Sequence, residues 1–210
     1  MFRAGGAHAE EQCLKHDNNG ETCSAGIVIG NVQTARQRCK DWCWAACIET
    51  IFSLHGYKVY QEEVVKKVFG NEACRGAIGA SLPEIISGIG GVWSNKGFSA
   101  AAYELPDTLL SQATKKPAPS YIKFLNAGDR EVIAELNQGN PLIVGTRGQG
   151  ALGHAMVLSA IKYEKYMGYP LWLTEFTVRD PWPDSPNRRL LTANEFAGSF
   201  FVVKVVVQAA

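Results

Sequence analysis

The chain has 210 residues, 46% hydrophobic and 20% charged, and its 21 lysines and arginines against 20 aspartates and glutamates leave a formal net charge of +1. A chain of this length buries roughly 70% of its unfolded surface without a metal or a dense disulfide framework. Near-neutral charge with no Lys/Arg block argues against nucleic acid as a partner. The longest apolar runs, such as Phe200 to Val207 interrupted by Lys204, fall far short of the ~20 residues a transmembrane helix needs, so membrane insertion is not expected.

Residues 1–33 read as an N-terminal extension and 34–210 as one domain. Ala7-His8-Ala9 has the small-x-small form left of a signal-peptidase cut, which would start a mature chain at Glu10. Together with six cysteines, this points to a secreted or periplasmic protein. Asn18-Asn19-Gly20 and the lack of periodicity make 10–33 an irregular arm with one short strand at Ile27-Val28-Ile29.

From Asp41 the apolar spacing becomes helical and predicts a first helix over about 42–55, stopped at Gly56. A second runs from Gln61 to Phe69. Ser81-Leu82-Pro83-Glu84 is a capping box that opens a third, ending among Gly88 to Gly91. Lys115 to Pro119 is a loop, and Asp129 caps one more helix that stops at Gly139. Beyond it, Pro141–Thr146, Ala155–Tyr163, Leu171–Val178 and Phe200–Val207 are β-branched or aromatic runs, with a capping box at Thr192-Ala193-Asn194-Glu195 before the last. Helices first and an antiparallel sheet second is an α+β layout with a crevice between the halves. No internal repeat or low-complexity segment is visible.

The segment from Gln37 to Ala46 carries most of the chemistry. It puts Cys43 in the first turn of an apolar helix, where unpaired N–H groups and the helix dipole favour a thiolate and can also bind an oxyanion. Gln37, six residues upstream, is a neutral donor able to complete that hole beside the Cys43 amide. A base is needed. Of four histidines, His8 and His16 lie in the arm and His55 ends the helix about 18 Å from its start, which leaves His154. Asp180, in Asp180-Pro181-Trp182, is a carboxylate placed to orient that imidazole, with Trp182 to shield the bond.

Gln37, Cys43-Trp44-Ala45, Gly153-His154-Ala155 and Asp180-Pro181-Trp182 resemble, in order, the four functional blocks of papain-like cysteine peptidases, nearest to the bacterial C39-like branch that includes secreted effectors. The resemblance implies a papain-like fold with an N-terminal helical subdomain on a C-terminal antiparallel sheet. It makes Cys43 the nucleophile, His154 the base and acid, Asp180 the orienter and Gln37 the oxyanion donor. Trp42 and Trp44 flank the thiol and read most simply as core and crevice wall, and with Gly153 and Trp182 they are the residues expected along the cleft. A protein or peptide substrate is implied, no cofactor is needed, and a dedicated inhibitor or immunity protein is a conceivable partner. Lys40-Asp41-Trp42 replaces the Cys-Gly-Ser of plant and lysosomal members, and Asp180 replaces their Asn.

Other readings compete. The same triad could serve glutamine deamidation or transamidation, or the chain could be a silent, disulfide-stabilised binding module. A Cys on an apolar helix is commonly a packed core residue, and Asp180 before proline could simply form a turn. Cys39, Cys43, Cys47 and Cys74 could form a four-thiolate site, but their spacing is not usual for zinc or iron–sulfur, so no metal is expected. Cys13–Cys23 and a bridge from Cys74 to Cys39 or Cys47 are the disulfides expected, with connectivity left open by sequence.

Overall fold

The computed structural model describes residues 11–16, 19–27, 34–74, 81–106, 108, 125, 127–147 and 153–210. The Ala7-His8-Ala9 pattern, Val28 and Ile29 of the expected strand, the 115–119 loop and the glycine-rich segment 148–152 lie outside them.

Three helices come early: α1 (Cys43–Leu54), α2 (Gln61–Phe69) and α3 (Leu82–Ile89). α2 starts at a Tyr60/Glu63 capping box and stops at Gly70, whose left-handed φ of 74° an L side chain rarely adopts. α3 runs through Gly88 because that position is a close approach: a Cβ there would come within 2.9 Å of Trp44. α4 (Ala127–Asn137) begins two residues before the expected cap, so Asp129 sits in its first turn, buried. α5 (Ala193–Ala197) starts at the Thr192/Glu195 box. No described helix is long and apolar enough to cross a membrane.

The strands are β1 (Gln12–Lys15), β2 (Gly20–Gly26), β3 (Gly91–Trp93), β4 (Phe98–Glu104), β5 (Leu142–Arg147), β6 (Gly153–Tyr166), β7 (Tyr169–Arg179), β8 (Arg188–Leu190) and β9 (Ser199–Ala209). Every pairing is antiparallel, in the order β1-β2-β6-β5-β9-β4-β3, with β7 on the other edge of β6 and β8 on β7. β6 organises the sheet. Residues 153–158 pair with β5, and 160–166 pair with β2 and with β7.

Alternation along the strands sorts side chains into two cores. Ile143, Ala155, Val157, Phe201 and Val203 face α1, α2 and α3, whereas Leu142, Val144, Met156, Leu158 and Val202 face α4. α1 is therefore wedged between the sheet and two helices, which is why nine of its residues are buried.

Two expectations need correction. The arm is not irregular: β1 and β2 form a hairpin that extends the sheet from β6, with Cys13 directly opposite Cys23. β1 is exposed at every residue, so it carries no apolar alternation to read. The first half is also not purely helical, since β4, built on Phe98-Ser99-Ala100-Ala101-Ala102, pairs along its length with β9. Alanine is depleted in strands and its run gave no signal.

Candidate active site

Cys43 is the first residue of α1, after Trp42, and no side chain caps the helix. The N–H groups of its first turn are thus left free of intrahelical partners. The loop that delivers it is held from several sides. The Ala35 N–H donates to Thr50 on α1 at 2.9 Å, and the fully buried Gln61 of α2 accepts from the Arg38 N–H at 3.0 Å while donating to the Arg36 carbonyl at 2.9 Å. A Cys39–Cys74 disulfide ties the loop to the segment after α2. With Cys13–Cys23 also bridged, Cys43 and Cys47 are the free thiols, both buried.

The sheet delivers the second set. β6 begins at Gly153, and pairing with β5 sets His154 opposite Thr146. The next residue's N–H, on Ala155, donates to the Cys43 sulfur at 3.4 Å, a bond that an anionic sulfur accepts better than a neutral thiol. His154 Nε2 meets Asp180 Oδ1 at 2.8 Å, leaving Nδ1 as the ring nitrogen for the thiol. Asp180, with a side chain 2% exposed, directly follows β7 and also accepts from the Trp182 N–H at 2.9 Å. The Trp182 ring stands edge-on to the imidazole, 6.4 Å between centroids.

Charges at the site follow from these contacts. Burial works against charge on His154, but its bonds to Asp180 and Cys43 outweigh burial and push it up to about 9. Burial likewise opposes ionisation of Asp180, yet His154, the Trp182 N–H and Arg189 hold its carboxyl well below the usual range. Burial pushes the Cys47 thiol well up, with the nearby Cys43 and Asp180 adding to it. The two free thiols of α1 are therefore chemically unlike: Cys47 is kept protonated in the core, and Cys43 stands beside an imidazolium.

The structure brings Cys43, His154 and Asp180 together around a cavity of about 430 Å³, which Gly153 and Trp182 also line. Lys40 and Asp41 bound it on the helix side. Trp42 and Trp44, expected along the cleft, are 3% and 0% exposed and belong to the core beneath α1, Trp44 edge-on to Phe69. Gln37 sits between the two halves, its N–H donating to the Pro181 carbonyl at 2.9 Å. Its side-chain amide, however, donates to the carbonyls of Cys39 and Lys40 at 3.0 and 2.6 Å, so both amide protons are engaged within its own loop.

Sequence reasoning missed three arginine and glutamate positions. Arg36 donates to the carbonyls of Asp180, Trp182 and Ser185, at 3.1, 2.6 and 2.9 Å, and so shapes the turn that carries Asp180. Arg189 on β8 donates to Asp180 Oδ2 through Nε and Nη2, at 2.9 and 2.7 Å. Glu195, read only as half of a capping box, accepts from Arg189 at 2.6 and 2.8 Å as well. The one available signal was proximity to that box. Among the described residues, the one group dense in metal-ligating types is Cys13, Glu21 and Cys23, and its thiols are joined in a disulfide.

A family model described as "Peptidase_C39 like family" matches residues 29–204. No curated protein matches the chain. Among solved structures, the peptidase domain of Streptococcus ComA, a bifunctional ABC transporter of a quorum-sensing pathway, is similar at 11% identity and a TM-score of 0.46, covering 86% of this chain and 100% of that one. A double glycine motif protease from an AMS/PCAT transporter, solved with its leader peptide, is similar at 13% identity and a TM-score of 0.43, with 89% and 99% covered.

Proposed function

The chain belongs to the Peptidase_C39-like family and is a cysteine peptidase, and from that premise we propose that it cleaves peptide bonds with Cys43 as nucleophile, His154 as base and acid, and Asp180 as the group that orients the imidazole. The observation that carries the assignment is that the Cys43 sulfur, held by the Ala155 N–H, and His154, bonded to the buried Asp180 carboxylate, line one cavity.

The steps follow from the atoms present. The Cys43 thiolate adds to the carbonyl carbon of the scissile peptide, and the negative charge that develops on the oxygen is met by the free Cys43 amide at the head of α1. His154, protonated at rest, gives its Nδ1 proton to the leaving amine, and the C–N bond breaks to leave a thioester. The neutral ring then takes a proton from water, whose oxygen attacks the thioester and releases the carboxylic acid and the Cys43 thiolate, restoring the starting ion pair. Asp180 holds the imidazole by Nε2 throughout and favours its charged form. Gln37 completes the oxyanion site by exchanging its bond to the Lys40 carbonyl for one to the oxyanion. Two disulfides fit a working place in an oxidising compartment outside the cytosol.

Mass analysis of an unstructured protein substrate tests the reading. New chain termini that require Cys43 are expected. Release of ammonia from glutamine side chains with the chain uncut would overturn hydrolysis of peptide bonds in favour of deamidation.

A further inference from the structure

Asp180 serves two cations. Its Oδ1 accepts from His154 and from the Trp182 N–H, and its Oδ2 accepts two N–H groups of Arg189. Arg189 is shared in turn, because both Glu195 oxygens accept from it at 2.6 and 2.8 Å. Glu195 is then pinned at the head of α5, where it accepts from the Thr192 N–H and hydroxyl, each at 2.9 Å. Charge alternates in sign along this line, from His154 through Asp180 and Arg189 to Glu195, within residues 154–195.

We propose that Arg189 and Glu195 are positioning residues of the site, which lock the Asp180 carboxylate toward His154 and set how much of its charge the imidazole receives. This rests on the assignment of Cys43, His154 and Asp180 above.

The physical case has two parts. A buried carboxylate oxygen without a donor carries a large desolvation cost, and the Arg189 fork removes it while fixing the carboxylate plane, as a lysine's single ammonium does less well. A guanidinium on the far side of Asp180 also draws on the same negative charge that favours the imidazolium. Glu195 pulls Arg189 the other way. Neutralising either residue should therefore move His154 in opposite directions. Among the described residues, Cys43 from α1 and Lys40 and Asp41 share the cavity with the imidazole and Cys47 lies near Asp180, and none of them changes in these variants.

The test follows the His154 ring signal by NMR across neutral and alkaline pH, in the full chain labelled with 13C-histidine. Arg189→Gln should raise the midpoint by roughly half a unit or more, Glu195→Gln should lower it by a smaller amount, and Arg189→Lys should leave it near the wild-type position. Midpoints that do not move in folded variants, or that move the same way in both, would overturn the proposal. Should Arg189→Gln fail to fold, Glu195→Gln decides alone: a lowered midpoint supports the proposal and an unmoved one overturns it. Cys43→Ala separates the two levels, since a wild-type midpoint that Cys43→Ala does not shift would break the triad assignment itself, whatever the Arg189 and Glu195 variants do.

Discussion

The two halves of the site are held by different forces. On the helix side, Cys43 is placed by backbone and packing: an uncapped helix start, a buried α1 wedged between sheet and helices, Gln61 gripping the entering loop, and a disulfide. On the sheet side, His154 is placed by a chain of charged side chains. Packing fixes position with little dependence on pH, whereas a charge chain fixes position and protonation state together. The proposed nucleophile needs only the first. The proposed acid and base needs both.

The contrast is broken most severely at its two ends. Cys43→Ala should lower peptide cleavage by about 10⁴-fold or more with the thermal midpoint nearly unchanged, since alanine is a good helix residue and Cys47, protonated and buried, cannot substitute. Steady-state rates beside a melting curve check this. Asp180→Ala should cost about 10³ to 10⁴-fold and also stability, because Arg189 loses its buried partner. Asp180→Asn can still accept from His154 and should keep more activity than the alanine variant.

A second prediction concerns pH. His154 is raised in the folded protein relative to its ordinary 6.5, so the stability that its contacts add is fully present below pH 6.5 and is lost as pH climbs through about 9. Activity should fall over the same alkaline range as the imidazolium loses its proton. Asp180→Asn should shift that limb to lower pH, and a profile unchanged by the substitution would detach Asp180 from the imidazole.

Smaller effects probe the packed side. Replacing Cys39 and Cys74 together by serine releases a loop of 35 residues, and loop-closure entropy puts the loss near 4 kcal/mol, against about 3 kcal/mol for the Cys13–Cys23 pair with its separation of 10. Activity at low temperature should drop more for the first pair, because Cys39 also presents its carbonyl to Gln37. Denaturant melts and rates of the two double variants would show it. Gly145→Ala drives a Cβ to 2.3 Å from the Phe201 ring and should cost about 1–3 kcal/mol with the charge chain untouched.

The same division explains what could be read in advance. α1 and α2 were legible because an apolar helical period and a glycine stop are local features, and the three proposed catalytic residues stood out because each lies in a short block with its own chemistry. The β1–β2 hairpin was hidden by its exposed, unpatterned first strand, and β4 by alanines that become strand only through pairing with β9. Trp42 and Trp44 flank the thiol in sequence, yet the helical turn rotates them into the core. Arg189 and Glu195 gave no sign because their meaning comes from register: β8 lies against β7, and that places Arg189 opposite Val178, two residues from Asp180. Charged partners across strands are set by tertiary pairing, which one sequence does not display.

The proposed nucleophile Cys43, activated by His154, sits in a helix that carries a second free thiol one turn away. Mapping the adduct of an epoxide inhibitor of cysteine peptidases by peptide mass analysis tests this most directly. A single adduct on Cys43, formed in step with loss of cleavage and greatly slowed in His154→Ala, is the predicted result. An adduct on Cys47, or labelling of Cys43 at the same rate without His154, would contradict it.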